Sequence, residues 1–527
     1  MEIYLYDTTL RDGVQQEGIS LSVADKLNIT RRLDDLGIHY VEGGTPGSNP
    51  KDVEYFQKVK NMTLSKSRIS AFGLTRRANS KVQSDESMRE LLAAETPVVT
   101  LVGKSYDVQV KQVLETTLEE NLAMLADSIA YLKSKGKLVF FDAEHFFDGF
   151  NSNSEYAIKC LKVASEAGAD SLALCDTNGG MLPVDIESIV KRVISEITTP
   201  IGIHCHNDAD LAVANTIAAV NAGASHIQGT INGYGERCGN ANLISIIANL
   251  KLKMGISCIS DEQLSSVTQL SNYISEIVNI PAHGSQPYVG TNAFSHKGGI
   301  HVAAIAKMEN SYQHIDPGVV GNSNSVVISE VSGRGNIQYR LKELGLDGQI
   351  DRQQVSELLN NIKIQESRGF QYEGAEASFE LMARRQIEGY KAPFELVDFL
   401  ILAENQRRNS VNDGQGDMLA EAMVKIKVDS RLIHTAAEGN GPVNALDNAL
   451  RKALIEFYPN LTQMRLMDYK VRVVDNGQDT SATVRVLIES TDGLKIWNTV
   501  GASGNIIEAS WQALSDSVEY FLLSHNS

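Results

Sequence analysis

Residues 171–206, SLALCDTNGGMLPVDIESIVKRVISEITTPIGIHCH, decide the fold. Ser171–Thr177 is a short apolar run that ends in polar groups. Pro183–Ile197 has apolar side chains at helical spacing behind a proline suited to a first helical turn, and Ile201–His206 is a second short run. A strand, a helix and a strand of this size form a parallel pair joined by a crossover. The pattern repeats outward on both sides. Ile3–Thr8, Tyr40–Gly44, Arg68–Gly73, Pro97–Gly103, Leu138–His145 and His226–Ile231 complete eight strand-like runs. Helix-like segments such as Val23–Leu36, Leu118–Lys135, Ser154–Ala167 and Asp210–Ala222 separate them. Eight such units in about 250 residues predict an α/β fold with an N-terminal (β/α)8 TIM barrel. An open doubly wound sheet would carry a Gly-rich dinucleotide turn after its first strand, and Thr8-Thr9-Leu10-Arg11-Asp12-Gly13 is not one.

Beyond about residue 280 the pattern changes. His283–Pro317 is rich in Gly, His and Asn and has little period. Residues 350–404 read as helices, Ala375–Arg385 and Glu395–Ala403 among them, and Arg407–Gly416 reads as a linker. The tail carries an internal duplication. Val424–Val428 and Ile433–Thr435 precede the helix-like Pro442–Phe457, and Ala482–Ile488 and Ile496–Val500 precede Ile506–Leu523. Thr435 aligns with Thr499, and Ala449-Leu450 with Ala513-Leu514. The expected organisation is a barrel over 1–280, linker subdomains over 281–415, and over 416–527 a small α/β domain of two ββα units, regulatory or dimerising.

With 48 basic and 65 acidic side chains, the chain of 527 residues has a net charge of −17, which opposes binding to phosphate backbones; no nucleic-acid partner is expected. The first residues show no basic and apolar leader, and no apolar run is long enough to span a bilayer, so neither secretion nor a membrane partner is expected. Five widely spaced cysteines suggest reduced thiols in the cytoplasm rather than disulfides or structural zinc.

In such barrels functional groups gather where the strands end. His204 and His206 are two apart, so their imidazoles share a face at the end of the seventh strand. Arg11-Asp12 ends the first strand, Glu144 the fifth and Asp176-Thr177 the sixth; Gly233-Tyr234-Gly235-Glu236-Arg237-Cys238-Gly239-Asn240 follows the eighth. Each alone reads equally as a solvated strand end or a helix cap, but five on one rim point to chemistry. One carboxylate (Asp12), two imidazoles and the Asn240 amide oxygen suit Mg²⁺, Mn²⁺ or Zn²⁺, with positions left open for a chelating substrate. The glycines of 233–239 let the backbone pass close to a ligand, which makes Gly235 and Arg237 candidates for holding a cofactor.

Three motifs together resemble the 2-isopropylmalate synthase/homocitrate synthase/citramalate synthase family: Thr8-Thr9-Leu10-Arg11-Asp12-Gly13-Val14-Gln15, His204-x-His206-Asn207-Asp208 and Gly233-x-Gly235-Glu236-Arg237-x-Gly239-Asn240. Residues 42–52, 141–149, 175–180 and 434–443 are similar to its long-type citramalate synthase branch, so the resemblance spans nearly the whole chain. It implies an acyltransferase acting by metal-dependent Claisen condensation, with acetyl-CoA as co-substrate and pyruvate as keto acid; a bulkier 2-keto acid is the alternative. It implies Asp12, His204, His206 and Asn240 at the metal, and Arg11 and Thr177 at the keto acid. Glu144, His301 and Tyr312 would serve the proton transfers, with the taker of the methyl proton left open. It implies a homodimer in which the segment bearing His301 and Tyr312 completes the partner's site, and a tail that binds isoleucine, with Tyr458 and a Gly501–Gly504 loop as candidate contacts. Phe72, Leu74 and Val102 are candidate pocket walls. An amino-acid sensor with a dead barrel is opposed by the intact rim, and a lyase by the appended tail.

Overall fold

The computed structural model describes residues 2–525 apart from 306, 309–310, 327, 330–331, 405–418 and 475–481. The linker expected at Arg407–Gly416 lies outside the described residues.

Eight parallel strands close the barrel: β1 (Tyr4–Asp7), β2 (Tyr40–Gly44), β3 (Arg68–Leu74), β4 (Val98–Lys104), β5 (Leu138–Glu144), β6 (Ser171–Asp176), β7 (Ile201–Cys205) and β8 (His226–Gly229). β8 pairs back onto β1, with Tyr4 beside His226 and Asp7 beside Gly229. The intervening helices start where local chemistry permits. Ser22 and Asp25 form a reciprocal cap for Val23–Leu36, Thr117 caps Leu118–Ser134, and Pro183 occupies the first turn of Pro183–Glu196.

Alternation divides each strand between two faces. Leu5, Val41, Leu101, Phe141, Ile203 and Ile227 belong to the main apolar core shared with the helices. Their neighbours Tyr6, Glu42, Thr100, Asp142, His204 and Gln228 are all buried and are joined by side-chain hydrogen bonds inside the barrel. The level of the barrel below the site is thus polar. Tyr6, Tyr40, Phe140 and the His226 imidazole pack ring against ring.

The chain divides into two compact units. The first runs to Phe294 and takes in Ile315–Ser323, which is tied down by Thr268 Oγ1 donating to the Val320 carbonyl (2.6 Å) and by the Asn322 amide donating to Tyr288 and Gly290 (3.0 Å each). The second holds Ser295–His314 and everything from Asn324 onward. It begins with β9 (Ser295–His296) paired to β10 (Ser325–Val326), with helices at Gly299–Ile305, Arg334–Glu343, Arg352–Ser367 and Glu376–Arg384. The stretch His283–Pro317 is therefore not wholly irregular.

The tail holds two antiparallel sheets, each followed by a helix. The first is β11 (Glu395–Glu404), β12 (Leu419–Val428) and β13 (Arg431–Gly439), with helix Pro442–Leu454. The second is β14 (Arg465–Val473), β15 (Val484–Thr491) and β16 (Ile496–Ser503), with helix Ile506–His525. Each repeat therefore has one strand more in front of the expected ββα. Glu395–Ala403, read from sequence as a helix, is strand β11. Phe399 and Ile401 pack on the tail's core while Leu400 and Leu402 point the other way, about half exposed. Apolar residues on both faces hide the period of two. The duplication reaches fine detail. The register shifts between Leu396 and Asp398 in β11 and between Leu466 and Asp468 in β14. Thr435 Oγ1 donates to the Ala449 carbonyl (2.9 Å), and Thr499 Oγ1 to that of Ala513 (2.7 Å). Gly501, expected in a loop, lies within β16, where a Cβ would strike the Ala509 carbonyl oxygen. Tyr458 donates to the Pro393 carbonyl at 3.0 Å. Among the described residues no helix is long and apolar enough to cross a membrane.

Candidate active site

The strand ends of β1, β7 and the turn after β8 meet at one mouth of the barrel. Ligand atoms of Asp12, His204 and His206, all buried, lie within 4.8 Å of one another, with Asp12 Oδ2 3.3 Å from His204 Nε2. The main chain brings Asn240 to them. His206 and Asn240 form an antiparallel bridge, through Asn207 N–H to the Gly239 carbonyl and Ala241 N–H to the Cys205 carbonyl (2.9 Å each). Gly235 makes this fit possible, because a Cβ there would fall on the Asn240 amide nitrogen. That nitrogen donates to the Tyr234 carbonyl (3.1 Å), so Oδ1 is left as the free end of the amide.

Two buried atoms at this mouth, His206 Nδ1 and Asn240 Oδ1, have no hydrogen-bond partner. Buried polar atoms are rarely left bare. A carboxylate, two imidazoles and an amide oxygen crowded this closely fit a divalent cation with mixed oxygen and nitrogen ligation. The electrostatics agree. Burial resists ionisation of Asp12, but the Arg11 guanidinium and the His204 hydrogen bond outweigh it and hold the carboxyl well below its usual range. Burial and the neighbouring His204 push His206 down to about 4, so its imidazole is neutral, as a ligand must be.

Arg11 lies beside this group, its Nη1 3.4 Å from Asp12 Oδ2. Its Nε and Nη2 donate to Glu42 at 2.6 and 3.4 Å, and its guanidinium sits 3.9 Å above the Phe72 ring. Beneath Glu42 runs a line of hydroxyls: Tyr6 donates to Glu42 Oε2 (3.0 Å), Thr100 meets Tyr6 (2.6 Å) and Ser70 meets Thr100 (2.9 Å). Each hydroxyl has one proton. With Tyr6 committed to the carboxylate, Thr100 must donate to Tyr6 and Ser70 to Thr100. Among the proposed pocket walls, Phe72 supports Arg11, Val102 is half-buried and Leu74 is 64% exposed, which removes Leu74 from any enclosed pocket in this unit.

Glu144, at the end of β5, meets Lys104 at the end of β4, with Nζ 2.5 Å from Oε2; strand register sets the two residues side by side. Thr177 Oγ1 accepts from the His145 N–H (2.9 Å), so its own proton can be donated elsewhere. Asp176 instead accepts from the Gly180 and Met181 N–H groups (3.2 Å each) and shapes its loop. Arg237 grips both oxygens of Asp208 (2.7 and 2.9 Å) and the Thr177 carbonyl (2.7 Å), while Gly235 N–H faces Gln16 Oε1 at 3.4 Å. A cavity of about 550 Å³ opens beside Arg11, with Gln15, Thr45, Asn49 and Lys51 on its wall. His301 and Tyr312 belong to the second unit, where their rings stack at 4.2 Å and 27°.

Lys104, Glu42, Asp142, Gln228 and Asp208 were not singled out from the sequence. A charged or amide side chain inside a strand that is otherwise buried is the signal that could have found four of them. Asp208 stands in the quoted His204-x-His206-Asn207-Asp208 motif, but only the fold shows it paired with Arg237.

Comparison with known proteins extends these findings. Residues 2–274 match the HMGL-like family model, 288–369 the homocitrate synthase post-HMGL domain-like model, and 373–522 the LeuA allosteric (dimerisation) domain. The chain is 50% identical to an (R)-citramalate synthase of Geobacter sulfurreducens over 99% of this chain and 97% of that one. It is 50% identical to the (R)-citramalate synthase of Aquifex aeolicus over 99% and 98%, and 31% identical to a 2-isopropylmalate synthase of Methanocaldococcus jannaschii over 99% and 95%.

Proposed function

The chain belongs to the HMGL-like family and, within it, to the citramalate synthases, and from that premise we infer the reaction at its barrel mouth. It condenses acetyl-CoA with pyruvate and water to give (R)-citramalate and CoA, an acyltransferase whose acyl group becomes an alkyl group on transfer. One observation carries the reading: a carboxylate and two imidazoles converge within 4.8 Å, beside an arginine already anchored by a buried glutamate.

Asp12, His204 and His206 would hold a divalent cation, with Asn240 Oδ1 as a fourth group. When bound, the cation supplies positive charge that polarises the keto acid's C2 carbonyl. Arg11 adds a fixed positive charge next to the same oxygen as it turns into an alkoxide; because Glu42 already orients the guanidinium, little reorganisation is needed. Thr177 donates its hydroxyl proton to the keto acid's carboxylate. The acetyl methyl group is a very weak acid, so a base must lie within hydrogen-bond reach. Glu144, held by Lys104, and the stacked pair His301 and Tyr312, supplied by the partner subunit, would share the proton transfers: one group takes the methyl proton and another protonates the alkoxide to give the tertiary alcohol. Hydrolysis of the thioester then releases CoA. The cavity beside Arg11 and the 233–239 loop, with Gly235 and Arg237, border the approach of acetyl-CoA.

The same reading makes the protein a cytoplasmic homodimer joined through its tail, which takes isoleucine as end-product effector; the match of 373–522 to an allosteric dimerisation domain supports it. The test is thiol release from acetyl-CoA with Mn²⁺ or Mg²⁺ across a panel of 2-keto acids. Strong release with pyruvate is expected. A clear preference for 2-ketoisovalerate would keep the chemistry and replace the substrate, and release with no keto acid would overturn the reading.

A further inference from the structure

His204 touches more than Asp12. Its Nδ1 lies 3.0 Å from Gln228 Oε1, and Gln228 Nε2 donates to Asp142 Oδ1 at 2.8 Å. All three side chains are buried, Gln228 completely. They come from β7, β8 and β5, so closure of the barrel makes the line. Local sequence does not, since Gln228 and Asp142 are 86 residues apart.

The line has a direction. Asp142 Oδ1 accepts from the NH₂ end of the Gln228 amide. The amide is planar, and its oxygen is therefore turned to His204 Nδ1. A carbonyl oxygen only accepts, so Nδ1 must carry the proton. The other nitrogen, Nε2, is the one 3.3 Å from Asp12 Oδ2: without a cation it donates to that carboxylate, and with one it can give up its proton and offer its lone pair. His206 has no such support, since its Nδ1 has no partner. One of the two imidazoles is thus held through its second nitrogen and the other is not.

We propose that Gln228, oriented by Asp142, is a positioning residue that locks His204 in its Nδ1–H tautomer and so presents Nε2 to the divalent cation. The inference rests on the reading of Asp12, His204 and His206 as the residues that hold the cation. Partners behind a ligand that fix its tautomer typically contribute 10–100-fold to metal affinity.

The experiment uses the full-length, metal-free protein and Mn²⁺ alone, with free Mn²⁺ read by electron paramagnetic resonance. Gln228→Met removes the acceptor at similar volume and is expected to weaken Mn²⁺ binding about 10–100-fold. At saturating Mn²⁺ the loss in kcat should be much smaller than the loss in affinity. Gln228→Glu keeps an acceptor facing Nδ1, its other oxygen sharing one proton with Asp142, and should recover most of the affinity. A tautomer readout is independent of binding strength. The His204 ¹⁵N shifts in wild type loaded with diamagnetic Mg²⁺, assigned by comparison with His204→Gln, should report a protonated Nδ1 and an unprotonated Nε2. Folded Gln228→Met binding Mn²⁺ within twofold of wild type, or a His204 Nδ1 that carries no proton in the Mg²⁺-loaded protein, would overturn the proposal. Failure of the wild type itself to bind Mn²⁺ would instead overturn the reading of the metal site.

Discussion

Lys104 places its ammonium 2.5 Å from the Glu144 carboxylate, across the paired ends of β4 and β5. The pair is only partly shielded, with side chains 16% and 28% exposed, so it adds little to stability and more to position. Lys104→Met should therefore lower kcat/KM by roughly 10–100-fold with little change in thermal midpoint, while Lys104→Arg retains most activity. Unchanged kinetics in Lys104→Met would remove Lys104 from the site.

His206→Ala deletes one of two imidazoles at the barrel mouth, outside the apolar core. Metal-dependent thiol release should fall by roughly 100-fold or more, with the far-ultraviolet circular dichroism intact. Treating the wild type with a chelator should give the same loss, and Mn²⁺ should reverse it. Activity that survives both treatments would refute the ligand assignment.

Two glycines give a contrast in mechanism. Gly235→Ala sets a methyl group on the Asn240 amide nitrogen and should weaken Mn²⁺ binding and turnover together. Gly255→Ala, at φ +68 with nothing within 4 Å of the new carbon, should cost only about 1 kcal/mol of backbone strain and leave turnover alone. Equal effects on activity would mean that the Asn240 bridge has no part in the site.

The imidazole of His226 tests burial by pH. Its ring is packed among Tyr6, Tyr40 and Phe140, its Nε2 has no partner, and burial, helped by His39, lowers it from 6.5 to about 3. Between pH 6.5 and 3 the unfolded chain binds a proton there that the folded one does not, so stability is lost as pH falls through that window. Asp7 and Asp142, pushed up to about 7 by burial, act in the opposite sense, losing stability as pH rises from 3.8 toward 7. The decisive quantity is therefore a difference. Relative to His226→Phe, wild type should lose up to about 1.4 kcal/mol per pH unit below pH 6.5 in urea unfolding. Parallel curves for the two proteins would show that His226 does not carry the effect.

For the tail, isoleucine should inhibit the full-length enzyme, and removal of residues beyond about 410 should abolish inhibition. Calorimetry with isoleucine on the intact protein checks the first half directly; absence of both binding and inhibition would end the regulatory claim.

The eight barrel strands were legible because each run is short and apolar and helix-like segments separate them, some with clear start signals such as the Ser22 cap or Pro183 in a first turn. The rim residues were legible because strand ends are where barrels keep their chemistry. The polar interior was not. Parity separates Tyr6 from Leu5, yet it does not say that Tyr6 meets Glu42 and Thr100, since those meetings depend on how the closed sheet staggers. In the tail, β11 was misread because it is apolar on both faces. β14 went unnoticed because Arg465, Asp468, Lys470 and Arg472 interrupt its apolar residues. Once these two strands are in place, the duplication extends to a shared register shift.

The hydroxyl line from Ser70 through Thr100 and Tyr6 to Glu42 has a consequence for inheritance. Every proton in it is assigned, so a methyl group in place of any one oxygen takes a partner from a buried neighbour. Homologues should therefore exchange these four positions as a set, with Thr100 and Ser70 covarying although neither comes near the reacting carbons. Drift is permitted on the helices outside the barrel, but within it a change must arrive with its match.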